Sequence, residues 1–127
     1  MNHIDFTPKI KKDAIALVSE YCDGGSLGDI IDLKQSSRVP YKKFVEWFSS
    51  MVDVLSYFEK KGVIHRDIKP GNLLLSNGIM KLADFGLAKS VMEVTTIKNH
   101  TVCGSPMYIS PEVAFRNGYS SKADVFS

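Results

Sequence analysis

Asp67, Lys69, Asn72 and Asp84 are residue types that could do chemistry together. The first three lie in the stretch VIHRDIKPGNLLL, residues 63–75, between the apolar pair Val63-Ile64 and the run Leu73-Leu74-Leu75. Charged groups placed between apolar runs are costly to bury unless they are paired. Mg2+ takes oxygen ligands, typically one or two carboxylates with phosphate oxygens completing the shell. A phosphoryl group in transfer needs positive charge around it and an oriented nucleophile. Two carboxylates, one amide and one ammonium converging on one mouth meet both needs. Taken singly, each is also an ordinary turn residue, because Asp and Asn favour turns.

The elements that must position them can be read from periodicity. Asn77-Gly78 between apolar runs is a strong short hairpin signal, so residues 73–75 and 79–83 are expected to pair across a turn at 76–78, with the charged loop at the mouth of the hairpin. Asp84 leaves that hairpin beside Phe85-Gly86. Upstream, Phe44, Phe48, Met51, Val52, Leu55 and Phe58 recur at helical steps over residues 41–61, predicting a core helix about 31 Å long. Pro40 suits its start and Gly62 its C-terminal cap. Trp47 lies off that stripe and is assigned no function. Residues 14–18 read as a buried strand, Gly24-Gly25 as its break, and Ser26 as the cap of a short helix ending near Leu33. Residues 87–105 show little periodicity, and a long irregular segment in a compact domain is usually functional or disordered. SSKADVFS at the end reads as a helix start capped by Ser120 or Ser121, and a helix begun and then cut off points to truncation.

Composition narrows the class. The chain has 127 residues, 44% hydrophobic and 24% charged, which is ordinary for one globular domain. A net charge of +2 is too small to argue for a nucleic-acid partner. No apolar run is long enough to span a membrane, and residues 1–10 lack a signal-peptide core. Cys22 and Cys103 lie far apart, so the simplest setting is reduced and intracellular: cytoplasmic, with the nucleus as a further option.

Three stretches together, HRDIKPGN, DFG and GSPMYISPE, resemble the catalytic loop, metal loop and substrate-docking loop of eukaryotic serine/threonine protein kinases. The resemblance implies a partial α+β kinase-like fold: a hinge strand and a mainly helical C-lobe, up to the start of its central helix. It implies the end of the N-lobe and the hinge over 1–25, the first part of the C-lobe over 26–127, and an activation segment over 84–112. The cofactors implied are ATP and Mg2+, and the partner is a protein bearing Ser or Thr. By carry-over, Asp67 would orient or accept the substrate hydroxyl proton and Lys69 would neutralise charge on the γ-phosphate. Asn72 and Asp84 would hold the metal ions. Ser105 would tie the docking loop to Asp67 and Lys69. Glu20, Tyr21 and Cys22 would form the hinge, Ser19 the gatekeeper, and Leu74 the floor under adenine. His65 and Phe85 would be members of the regulatory spine, equally described as core residues. Arg66 before Asp67 matches kinases switched by activation-loop phosphorylation, with Thr101 as the best candidate site and Thr95 and Thr96 as rivals for an upstream activating kinase.

CGSPMYISPE is similar to the unc-51-like, autophagy-initiating kinases and more loosely to the polo and NIMA-related groups. Ser110 stands where the pattern has Ala, and Phe126 where it has Trp. The Gly-rich phosphate loop, the strand lysine and its helix glutamate have no counterpart in these residues, so the 127-residue chain alone is expected to be inactive and to expose apolar surface. The competing reading is a truncated or pseudokinase-like binding module without phosphotransfer. A small-molecule phosphotransferase would lack DFG followed by such a docking loop.

Overall fold

The structure, a computed structural model, describes residues 18–33, 39–91, 103–115 and 120–127. Chain order is α1 (Leu27–Leu33), α2 (Tyr41–Lys61), β1 (Val63–Ile64), β2 (Leu73–Ser76), β3 (Ile79–Leu82), β4 (Lys89–Ser90), α3 (Pro111–Ala114) and α4 (Ser121–Phe126). Single 3-10 turns occupy Pro70–Asn72, Phe85–Leu87 and Pro106–Tyr108. Helices with small antiparallel sheets make this the α+β class expected.

The strands nest. β2 pairs antiparallel with β3, Leu73 opposite Leu82 and Ser76 opposite Ile79, around a turn in which Asn77 and Gly78 have φ of 51° and 77°. Positive φ at both turn residues matches the right-handed twist of a hairpin. β1 pairs antiparallel with β4, Val63 opposite Ser90. An outer pair therefore encloses an inner pair. The loops joining them, 65–72 and 83–88, emerge side by side. β4 lies in the stretch whose sequence shows little periodicity. Two residues are too few to carry an alternation, and its partner β1 is equally short.

Sequence chemistry explains the helix ends. Ser26 Oγ accepts the Asp29 N–H at 3.0 Å, and Asp29 Oδ2 accepts the Ser26 N–H at 3.0 Å, a reciprocal cap at the start of α1. Gly62 ends α2 in the left-handed region, φ 63°, its N–H turned back to Glu59 and Phe58 carbonyls. Ser120, rather than Ser121, caps α4 by accepting the Lys122 N–H. Both helix bounds expected for α1 and α2 are observed.

The inner hairpin holds one core, in which Leu73, Leu75 and Met80 pack with Leu27, Ile30, Trp47, Met51 and Leu82. Ile64, Ile68, Val113 and Ala123 are buried around the 65–72 loop. The apolar stripe of α2 requires a correction. Of its residues only Phe58 is buried, while Phe44, Phe48 and Val52 are 54%, 61% and 50% exposed. Among the described residues α2 meets mainly β3, β1 and α4, so it buries only the strip facing them. Trp47, off the stripe, is on that strip: it packs on the hairpin core and its Nε1 donates to the Gly78 carbonyl at 3.4 Å. Phe85 is likewise not a buried core residue; it is 52% exposed. Its ring still meets His65 at 5.1 Å and Phe58 at 5.8 Å between centroids. The strand expected at 14–18 lies, apart from an exposed Val18, outside the described residues.

Candidate active site

The loop between β1 and β2 is pinned from both sides. Arg66 adopts φ 70°, a left-handed conformation costly for a residue with a Cβ. Asp124, 4% exposed in α4, holds it there: its carboxylate accepts the His65 N–H at 2.7 Å and the Arg66 N–H at 2.9 Å. From the other side Arg66 Nε donates to the Leu87 carbonyl at 2.6 Å. His65 is fully buried, its Nε2 3.1 Å from the Ala83 carbonyl and its Nδ1 3.4 Å from the Asp67 N–H. These contacts fit a ring protonated on Nε2, which ties the first loop to the second.

Asp67 is 8% exposed and surrounded by donors. Oδ2 accepts Lys69 Nζ at 2.7 Å and Asn72 Nδ2 at 3.0 Å. Oδ1 accepts the Ser105 N–H at 3.0 Å and the Ser105 hydroxyl at 2.9 Å. Lys69 Nζ also donates to Ser105 Oγ at 2.8 Å, closing a triangle of three side chains. Burial pushes the Asp67 carboxyl up, but the hydrogen bonds from Lys69, Ser105 and Asn72, with the Lys69 charge, outweigh it and hold the carboxyl below its ordinary value. Ser105 reaches this position because Gly104, at φ 108°, lets the chain pass close to the first loop; a Cβ at 104 would stand 2.6 Å from the Arg66 carbonyl oxygen.

Asn72 and Asp84 are brought to the same end of the hairpin. Asn72 spends both donor contacts on Asp67, to its carbonyl at 2.7 Å and to Oδ2. The Asn72 carbonyl accepts the Ala83 N–H at 2.9 Å, one residue before Asp84. Asp84 is exposed, at φ 62°, and its Oδ1 accepts the Gly86 N–H at 3.2 Å. No cluster of three or more His, Cys, Asp or Glu side chains fit for a metal occurs among the described residues. The donor set is one amide oxygen and one carboxylate. It suits an oxygen-seeking ion that draws most of its shell from phosphate and water, as Mg2+ does.

Beside them opens a cleft of about 580 Å3 lined by Ser19, Glu20, Cys22, Leu74, Lys81 and the segment 82–86. Leu74 is half-buried in its wall, and Cys22 is a half-buried free thiol. The Glu20 carboxylate turns instead to Lys81 and Ser76. Tyr21 is exposed. The structure thus brings Asp67, Lys69, Asn72 and Ser105 into contact and places Asp84, Glu20, Cys22 and Leu74 around the cleft. Thr95, Thr96 and Thr101 lie outside the described residues.

Gly104 and the Lys81–Glu20 pair were not singled out from sequence. A glycine beside Ser105 is a weak sign without its φ, and 61 residues separate Glu20 from Lys81. Ser110, 1% exposed, carries a buried hydroxyl with no hydrogen-bond partner among the described residues. It fills the position where the resemblance expects Ala.

The chain matches the family described as protein kinase domain over residues 3–127. It is 32% identical to human serine/threonine-protein kinase Nek11 over 120 residues, covering 93% of this chain and 18% of that protein. It is 41% identical over 123 residues to serine/threonine-protein kinase dst4 of Dictyostelium discoideum, covering 93% of this chain and 25% of dst4. With CBL-interacting protein kinase 21 of Oryza sativa subsp. japonica the identity is 42% over 121 residues, 91% of this chain and 22% of the relative. The chain therefore spans about a quarter or less of each of these relatives. With those matches and the loop geometry agreeing, the chain belongs to the protein kinase domain family.

Proposed function

We propose that the protein carrying this chain transfers the γ-phosphate of ATP to Ser or Thr hydroxyls of protein substrates. The observation that carries this reading is the closed triangle of Asp67, Lys69 and Ser105 beside the oxygen donors of Asn72 and Asp84. The substrate hydroxyl oxygen bonds to the γ-phosphorus, the bond to the β–γ bridging oxygen breaks, and ADP leaves with that electron pair. Mg2+, held by Asn72 Oδ1 and the Asp84 carboxylate, would supply charge neutralisation on the phosphates.

Asp67 has about four lone-pair sites, and protein donors engage all of them. A substrate hydroxyl therefore gains Asp67 only by displacing a donor. Lys69, on a flexible stem and 30% exposed, is the one free to move. Swinging towards the γ-phosphate, Lys69 Nζ opens Asp67 Oδ2 to the incoming hydroxyl proton. Nucleotide loading and base exposure become one event.

Glu20 to Cys22 would offer backbone groups to adenine, with Leu74 below it. The same reading divides the chain into an N-lobe end and hinge over 1–25 and a C-lobe part over 26–127. Its activation segment is 84–112. Thr101, ahead of Thr96 and Thr95, is the candidate target of an upstream kinase. A cytoplasmic setting, with the nucleus as a further option, belongs to the same proposal.

The test is transfer of labelled γ-phosphate from ATP to a Ser/Thr-containing protein by the complete protein. Asp67→Asn is expected to lower kcat by about 100-fold or more, the usual scale of a lost acid–base group. A wild-type protein that binds ATP and Mg2+ but transfers nothing would refute the transferase reading.

A further inference from the structure

Glu20 lies where the chain passes the cleft on its way to α1. Its carboxylate takes Lys81 Nζ on both oxygens, at 2.7 Å on Oε1 and 2.5 Å on Oε2, and the Ser76 hydroxyl on Oε1 at 2.8 Å. Ser76 ends β2 and Lys81 lies within β3, so both donors belong to the hairpin. The segment is fixed to the hairpin further along as well. Asp23 Oδ1 accepts the Asn77 N–H at 2.9 Å, the Gly24 N–H donates to Leu75 at 2.9 Å, and the Leu75 N–H donates to Gly25 at 2.9 Å. Those later ties hold residues 23–25. Glu20, nearer the cleft, is held by its side chain. Hydrogen bonds from Lys81 and then Ser76 keep its carboxyl below the ordinary value, so it is charged and paired at neutral pH.

We propose that Lys81 and Ser76 are positioning residues for nucleotide binding: they clamp Glu20 and thereby fix the backbone of residues 20–22 at the edge of the cleft. This rests on the ATP reading above. A nucleobase recognised by backbone N–H and carbonyl groups needs them at a set place and angle, and a loose segment adds an ordering cost to every binding event. A lysine gripping both carboxylate oxygens restrains rotation as well as distance. Lys81, Glu20 and Cys22 line the same cleft as Leu74 and Asp84, so the clamp and the proposed nucleotide site share one wall.

The experiment compares wild type with Lys81→Met, Lys81→Arg and Ser76→Ala in the complete protein. MgATP is titrated by calorimetry, and KM for ATP is read separately from kcat. Lys81→Met is expected to raise both Kd and KM about two- to fivefold, the scale of an exposed ion pair. Its kcat at saturating ATP holds. Lys81→Arg keeps the cation and restores wild-type affinity, and Ser76→Ala falls between. A merely structural role would lower thermal stability without this split. Wild-type affinity in Lys81→Met, or equal weakening by Met and Arg, overturns the clamp while leaving the kinase reading intact. A wild-type protein that binds no MgATP refutes both.

Discussion

Asp124→Ala tests whether the reactive loop is held by one buried carboxylate. Asp124 is 4% exposed and accepts two backbone N–H groups, from His65 at 2.7 Å and Arg66 at 2.9 Å. Leaving a buried donor unsatisfied costs about 1–3 kcal/mol. His65 is fully buried and bears the full penalty; Arg66 is half-buried, and water recovers part of it. Relaxation of Arg66 from φ 70° returns on the order of 1 kcal/mol of stored strain. The net loss is about 1–3 kcal/mol, a large share of the roughly 5–15 kcal/mol that holds a domain together. Urea unfolding of the complete protein measures it. The relaxed loop also displaces Asp67, the next residue, so kcat is expected to fall at least tenfold at temperatures where the variant stays folded. A stability change under about 0.5 kcal/mol with unchanged kcat would refute the reasoning, because it would mean that water satisfies both donors without the carboxylate.

Three further outcomes are expected. Gly104→Ala puts a Cβ 2.6 Å from the Arg66 carbonyl oxygen at φ 108°, so the docking loop separates from Asp67; phosphotransfer assays should show kcat/KM reduced at least tenfold. Asp67 is held below its ordinary carboxyl value of 3.8, so the stability it contributes is full above that value and is lost as pH falls through the lower, folded one; Ser105→Ala removes a donor and should move the acid limb of the kcat profile to higher pH. Ser110→Ala removes a buried hydroxyl that has no partner among the described residues and is expected to raise stability by about 0.5–1 kcal/mol in thermal unfolding, whereas a loss would show that the hydroxyl is satisfied.

Much of the site was legible because its residues sit close together in sequence or at hairpin spacing. Asp67, Lys69 and Asn72 share one loop, and Asn77-Gly78 fixes the return of the chain to Asp84. The bounds of α2 were legible from its apolar steps and its terminal Pro and Gly. Its buried face was not. Periodicity reports which residues share a face, while burial depends on which neighbours arrive; Trp47 meets the hairpin and Phe48 does not. β4 was illegible for another reason, since a two-residue strand is defined only by its partner. The Glu20–Lys81 contact has no local signature, and only the folded hairpin reveals it.

The nested pairing decides which parts of the site are robust. Ala83 donates its N–H to the Asn72 carbonyl beside the β2–β3 pairing, so backbone bonds set the spacing between Asn72 and Asp84. No side-chain substitution at either position alters those bonds directly. Asp67 is different: four donors from Lys69, Asn72 and Ser105 define its orientation, and most are removable one side chain at a time. The Asn72–Asp84 spacing should therefore tolerate changes around Ser105 that disturb Asp67. It should fail instead when the hairpin register slips, because a one-residue shift turns every β3 side chain to the opposite face and carries Asp84 with it. The tight Asn77-Gly78 turn, with Leu73, Leu75 and Met80 packed on one side, opposes that slip. The hairpin core thus fixes the distance between Asn72 and Asp84, and the Gly104-Ser105 segment fixes the orientation of Asp67.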